Sequence, residues 1–454
     1  MWYHNNRNRG ITMDAQTIFY HIYPLGMLGC EKYHQHHVVH RLPQLHQMIP
    51  KLKELNVNAV YIGPIFKSMS HGYDTIDYKT IDERLGDHID FQYLVEQFHH
   101  ANIKVIVDAV FHHVGREFFA FQDILKHREH SKYVNWFCNV NFKKDNVFHD
   151  GFCYDTWKGA ASLVKLNLAH IDVQNYILDC ILMWIHEFKI DGLRLDAAEC
   201  MIFPFLELLH LRLKKQYPNF YLVGEVVFGD YQQWIYPYRL DAVTNYELYH
   251  ALHHCHNTSN YEALKHTLNR QFGPNGLYRT LNLYHFVDNH DVHRIASLLK
   301  TKEKLTHIYT LLFTLPGTPS IYYGSEYGMK GRKQRYNDDK LRPKLDLTKK
   351  RNNQFRRFMI LLTKLRTNIE ELQDGSFEVL YCSKEQFVFQ RSKKETTYVL
   401  LNQSDQDVEI DVNVPFGTYI DAFTKEVYQI TSSKLTLKAY SSLVLIHQNR
   451  KEML

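Results

Sequence analysis

The chain has 454 residues, 45% hydrophobic and 23% charged, with 20 Gly and 12 Pro; this leaves room for a large barrel with appendages and excludes a disulfide-stapled peptide or a Pro/Gly-rich disordered chain. A formal charge of +5, from 54 Lys plus Arg against 49 Asp plus Glu, is too small an excess at this length for a nucleic-acid-binding surface. Seven scattered cysteines, none in a C-x-x-C pair, support neither a disulfide framework nor a zinc site and suit a reducing compartment.

Residues 1–13 read as a polar leader without the apolar core of an export signal, and no later apolar run is long enough to span a bilayer. The expectation is a cytoplasmic protein with no membrane or nucleic-acid partner. Short β-branched or aromatic runs then alternate with helix-period segments, the pattern of repeated βα units. Strands are expected at Ile18–Tyr23, Ala59–Ile62, Val105–Val110, Gly192–Leu195, Tyr221–Gly224, Ala242–Thr244, Leu283–Val287 and Ser320–Tyr323. Helices are expected at Leu42–Leu55, Phe91–Ala101, Val173–Phe188, Phe203–Tyr217, Tyr261–Phe272, Lys304–Leu315 and Asn353–Thr367. Eight strands with intervening helices is the count of an α/β fold of the (β/α)8 TIM barrel type.

The stretch between the third strand and the helix near Val173 exceeds what a βα loop needs. The barrel is therefore expected over 14–113 and 173–372, with a small inserted subdomain at 114–172. From 373 to 454 the pattern changes to period-2 alternation with turn signals, which predicts a C-terminal antiparallel β domain. Its strands are expected at Phe387–Arg391, Thr397–Asn402, Val408–Val412, Gly417–Asp421, Glu426–Ile430, Lys434–Leu437 and Leu443–Ile446.

In such a barrel the functional groups gather at the carboxyl ends of the strands. Polar residues stand there: Asp108 to His113 after strand three, Arg194 and Asp196 on strand four, Glu225 after strand five, and His290 and Asp291 after strand seven. His71, Tyr73 and Asp74 follow strand two. Singly each is ordinary, since an Asp after a strand is often a helix cap, and Arg194 with Asp196 share one face as an ion pair would. Together they bring three carboxylates from three strands into one pocket, an arrangement that costs stability unless a site uses it. The aromatic content, 14% with 31 Tyr and 27 Phe, suits core packing and also the stacking of sugar rings.

The blocks DAVFHH (108–113), GLRLD (192–196), GE (224–225) and VDNHD (287–291), with GYDTIDY (72–78), RLGDHIDFQYLV (84–95) and GTPSIYYGSEYGM (317–329), resemble the α-amylase family of glycoside hydrolases in order and position, over about residues 14–447. LVKLN (163–167) resembles the block typical of neopullulanases, cyclomaltodextrinases and maltogenic amylases. The resemblance implies Asp196 as nucleophile, Glu225 as general acid/base and Asp291 as the carboxylate that grips sugar hydroxyls. It further implies Arg194 beside Asp196, His113 and His290 on the bound sugar, Tyr73 stacked on its ring, Asp108 supporting the cluster, and His71 and Asp74 at its edge. Retaining glycoside cleavage needs one ionised and one protonated carboxyl about 5–5.5 Å apart. Asp196 next to Arg194 suits the first role, and Glu225 after an apolar run, with an expected raised pKa, suits the second.

The chain also departs from the family pattern. His112 stands where many relatives carry an Asn that binds calcium, and imidazole is a poor ligand for a hard cation; the loop PLGMLGCEKY (24–33) carries no D-x-N-x-D motif. No metal and no cofactor are therefore expected. Ala197, Ala198 and Glu199 follow Asp196 where many amylases carry Lys-His on the leaving-group side. There is no room before the first strand for the amino-terminal β domain common among neopullulanase relatives, which leaves the oligomeric state open. The expected substrate is a short soluble or cyclic α-1,4-glucan, cleaved by hydrolysis; transfer to another sugar through the same intermediate, or a non-catalytic binding role, are the alternatives.

Overall fold

The computed structural model describes residues 15–34, 36–235, 238–335, 337–349 and 352–453; the expected leader lies outside them. Eight strands close into a barrel: β1 Phe19–Ile22, β2 Ala59–Ile62, β3 Lys104–Ala109, β4 Gly192–Leu195, β5 Tyr221–Gly224, β6 Ala242–Thr244, β7 Leu283–His285 and β8 Thr318–Tyr322. Each pairs in parallel with its sequence neighbours, and β8 returns to β1. Strands covered on both sides favour apolar residues on both faces, so these runs are mostly apolar and residues such as Asp108 and Arg194 stand out in them. One set, including Phe19, Tyr61, Ile106, Tyr221, Val223 and Tyr284, fills the interior. The alternate set, including Tyr20, Val60, Val107, Leu193, Leu222 and Val243, packs outward among the helices. The interior is thus a core and not a pore, with a cavity of about 20 Å³ left between rings and Arg194. Gly192 makes the close approach possible, since a Cβ there would lie 2.3 Å from the Tyr221 carbonyl oxygen.

The expected helix Leu42–Leu55 is two elements, a 3-10 turn Leu42–Met48 and an α-helix Ile49–Glu54, because Pro43 and Pro50 each open a new helical segment. Helix Tyr246–Asn257, capped by the Asn245 side chain on Leu248 N at 2.9 Å, was not expected; four His within its last eight residues obscure its apolar period. Also unexpected is the antiparallel hairpin Phe66–Ser68 and Thr75–Ile81 after β2. Among the described residues no helix is long and apolar enough to cross a membrane.

Between β3 and β4 lies a three-stranded antiparallel sheet, with Ala160–Lys165 in the middle, His113–Gly115 on one side and Thr156–Trp157 on the other. The LVKLN block thus pairs directly with the end of the β3 motif, His113 opposite Lys165. Beyond the barrel, β9 Ser376–Cys382, β10 Gln386–Ser392, β11 Thr396–Asn402, β12 Val408–Asp411, β13 Gly417–Asp421, β14 Val427–Ile430, β15 Lys434–Leu437 and β16 Ser442–His447 form the C-terminal β domain. Its main sheet runs β9-β10-β11-β16-β13-β14, and β12 pairs with β15. Strand β9 escaped the sequence reading because a bulge between Val379 and Tyr381 breaks its alternation. Val388, Leu400, Ile410, Leu437 and Leu445 make the domain's own core, while Phe387, Phe389, Leu401 and Val444 join the core of the barrel.

Candidate active site

Parallel register sets the first contact: Asp108 on β3 stands beside Arg194 on β4, which stands beside Val223 on β5. Two residues beyond, the chain continues in step, with Asp196 N–H donating to Ala109 O at 3.0 Å and Glu225 N–H to Leu195 O at 2.9 Å. Asp108, Asp196 and Glu225 therefore converge on one guanidinium. Arg194 Nη1 donates to Asp108 Oδ1 (3.0 Å) and Asp196 Oδ1 (2.8 Å), and Nη2 lies 3.0 Å from Glu225 Oε2. All four side chains are buried. Tyr61 and Tyr73 donate to Asp108 Oδ2 at 2.5 and 2.9 Å, Tyr246 donates to Glu225 Oε1 at 3.0 Å, and Ala197 N–H donates to Glu225 Oε2 at 3.2 Å. That last bond exists because Ala197 turns into the left-handed region, φ +48°.

Arg194 lies beside Asp196 but is not reserved for it. One cation is shared among three carboxylates. Burial pushes the Asp196 carboxyl well above its ordinary pKa; Arg194 opposes the rise, and the Glu225 and Asp108 charges add to it.

The other flank is built on the hairpin after β2 and the end of β7. Asp74 braces the hairpin loop by accepting from Ser70 N (3.1 Å), Ser70 Oγ (2.6 Å) and His71 N (3.2 Å). Tyr73 is thereby held against His290, its hydroxyl 2.5 Å from Nε2 and the two rings stacked at 5.1 Å. Tyr23 also stacks on the His290 ring, at 5.7 Å. Asp291 stands 3.0 Å from His290 Nε2 and accepts from Arg342 Nη2 at 3.0 Å. Burial would raise the Asp291 carboxyl, but the His290 ring and then Arg342 outweigh it and hold the group well below the usual carboxylate range. Arg342 also donates to His290 O (3.1 Å) and Tyr23 Oη (3.2 Å). A cleft of about 630 Å³ opens beside this flank, lined by Tyr23, His71, Asp338 and Arg342 among others.

His113 is buried at the join with the inserted sheet, its Nε2 3.1 Å from Tyr73 O; burial and His112 push its pKa down to about 3. His71 sits at the rim with its side chain 43% exposed. The structure thus brings Asp108, Arg194, Asp196, Glu225, Tyr73, His113, His290 and Asp291 to one mouth of the barrel, with His71 and Asp74 at the edge. The sequence reading missed Tyr23, Tyr61, Tyr246 and Arg342. Tyr61 carried a signal, because it alternates with Ala59 on the inward face of β2; Arg342 carried none, lying in a polar loop 51 positions from Asp291.

The catalytic-domain model of the α-amylase family matches residues 42–363. The chain is 34% identical to a cyclomaltodextrinase of Thermoanaerobacter pseudethanolicus over 80% of its own length and 64% of that protein's. It is 31% identical to an intracellular maltogenic amylase of Bacillus subtilis, over 83% and 65%. A solved cyclomaltodextrinase superposes with a TM-score of 0.85 at 29% identity, covering 95% of this chain and 78% of that one. The chain therefore spans just under two thirds of the length of these curated relatives. Because the matched span takes in β2 to β8 and every polar strand end, this chain belongs to the α-amylase family.

Proposed function

We propose that the protein is a retaining α-glucan hydrolase acting on short linear or cyclic α-1,4-glucans. The observation that carries the reading is the pair Asp196 and Glu225, buried on the two nitrogens of one guanidinium. Two carboxyls held on the two nitrogens of one guanidinium are in keeping with the ~5–5.5 Å carboxyl spacing of retention. In this reading the ionised Asp196 attacks the anomeric carbon while Glu225 gives its proton to the leaving oxygen, yielding a glycosyl ester. Glu225 then takes a proton from water, which attacks the same carbon and releases Asp196. Asp291, kept ionised by His290 and Arg342, accepts from sugar hydroxyls and stabilises positive charge developing on the ring. Tyr73, His113 and His290 line the subsite of the sugar being transferred.

The names of the relatives, cyclomaltodextrinase and intracellular maltogenic amylase, support small substrates and a cytoplasmic setting. Incubation with maltotriose, a cyclodextrin, pullulan and soluble starch, with products resolved by chromatography and kcat/KM compared, is the test. Maltose and glucose from the small substrates, with the starch polymer slower, are expected; a strong preference for the polymer defeats the substrate assignment.

The usual calcium site of the family does not fit these residues. His112 presents an imidazole where an oxygen ligand is needed, its Nδ1 lies 3.3 Å from His113 Nδ1, and its carbonyl is taken by Leu166 N–H at 3.0 Å. Burial pushes the ring's pKa down to about 4, so it is a neutral nitrogen base that a hard cation does not favour. Thermal melts with and without a chelator should coincide. A large drop in melting temperature on chelation overturns this expectation.

A further inference from the structure

The inserted sheet between β3 and β4 ends in a hairpin tip. Strands Thr156–Trp157 and Ala160–Lys165 are joined by Lys158 and Gly159, whose φ values are +47° and +84°. Two successive positive φ values make the hairpin turn that favours Asn-Gly and penalises a long side chain at its first position. A lysine kept there points to a use for its side chain. A Cβ added at Gly159 would meet nothing within 4 Å, so the tip stands clear of the body. Lys158 does not: Nζ reaches the barrel at Glu199 Oε1, 3.3 Å away.

Glu199 is a fixed post. Its Oε2 accepts from Val227 N (2.7 Å) and Phe228 N (3.3 Å), and its own N–H donates to Glu225 O at 3.2 Å. The carboxylate is thus tied to the strand end that carries Glu225, and only 14% of its side chain is exposed. Lys158 is moored to that post while its side chain stays 54% exposed. An ammonium has three donors, and the bond to Glu199 uses one. Beside it, Nζ lies 5.2 Å from the Trp157 ring, and the indole Nε1 is buried without a hydrogen-bond partner. The hairpin tip therefore sets spare donors beside Glu199, whose backbone is hydrogen-bonded to that of Glu225, while the Trp157 ring lies 5.8 Å from that of His113.

We infer that Lys158 is a specificity-determining residue that hydrogen-bonds the hydroxyls of the sugar on the leaving side of the scissile bond, with Glu199 holding it in place. The inference rests on the α-glucan reading above. If Glu225 protonates the leaving oxygen, the departing sugar lies on Glu225's side, within reach of the hairpin tip. A leaving group without hydroxyls cannot use Lys158.

Maltotriose and α-maltosyl fluoride test this, since they share the transferred maltosyl unit and differ in leaving group, glucose against fluoride. Lys158→Ala should lower kcat/KM on maltotriose at least about tenfold more than on α-maltosyl fluoride, chiefly through KM, as loss of a charged hydrogen bond to substrate requires. Lys158→Arg, which keeps a cation on a long stem, should restore most of the maltotriose value. Should the alanine variant melt early, Lys158→Met, of similar length and without a donor, serves instead, with the same selective loss expected. Equal losses on both substrates mean that Lys158 merely pins the hairpin, and no loss on maltotriose means that it touches no sugar; either result overturns the inference. A wild-type enzyme inactive on both substrates defeats the α-glucan reading itself, a result distinct from an active wild type with an unselective variant.

Discussion

Asp196→Asn is expected to slow turnover of maltotriose at least about a thousandfold, ~4 kcal/mol of transition-state stabilisation, because no other group can form the glycosyl ester. The amide keeps the size of the carboxyl and an oxygen for Arg194 Nη1, now 2.8 Å from Asp196 Oδ1. The fold should therefore survive, and stability should move the other way. Burial raises the folded-state pKa of Asp196 above its unfolded value. The stability linked to its proton is fully present below the unfolded pKa, about 4, and is lost as pH rises through the folded value. Asn carries no such loss, so the variant should melt at or above wild type near pH 7, with the difference closing in acid. Glu225→Gln should damage maltotriose cleavage comparably but α-maltosyl fluoride much less, because fluoride leaves without a proton. Near-normal turnover by Asp196→Asn would show that the nucleophile is another residue.

Arg194→Met should be the most damaging single change to the site and the fold together. The guanidinium is 5% exposed and bonds Asp108, Asp196 and Glu225. Removing one partner of a buried charge cluster costs roughly 3–5 kcal/mol, because the remaining charges stay buried and uncompensated. Without the cation nothing opposes the rise that burial and the neighbouring charges impose on the Asp196 carboxyl. The loss should accordingly be largest near neutral pH and shrink as pH falls toward the ordinary carboxylate range. Melts of wild type and variant at pH 5 and pH 7.5 measure this. A penalty of equal size at both values would mean that Arg194 acts by packing and not by charge. Adding Asp108→Asn to the variant should restore part of the stability at pH 7.5, since one buried charge fewer then needs a partner.

The barrel strands were legible because a strand covered on both faces is largely apolar, and a run such as Ala59–Ile62 or Tyr221–Gly224 shows this without any knowledge of its partners. The polar ends of those strands were legible for the converse reason. Asp108, Arg194, Asp196 and Glu225 interrupt or close apolar runs where burial would penalise them, so they announce a cluster. Less legible were elements whose period was locally confused: the His-rich helix Tyr246–Asn257, the bulged strand Ser376–Cys382 and the proline-divided segment Leu42–Glu54.

By itself the sequence determined the order of strands and helices, the closed parallel barrel, and which mouth of it carries the acidic groups. These follow from local rules of burial and period, which each segment obeys alone. Only the tertiary structure decided how charge is shared in the site. That Arg194 serves three carboxylates, that Arg342 holds Asp291 from a loop 51 residues away, and that Lys158 crosses from the inserted hairpin to Glu199 depend on where loops of irregular backbone come to rest. Nothing in the spacing of these residues encodes those meetings, because distance along an irregular loop does not fix distance in space. The strand register does fix it within the barrel, where Asp108 meets Arg194, although the sequence reading set Arg194 only beside Asp196.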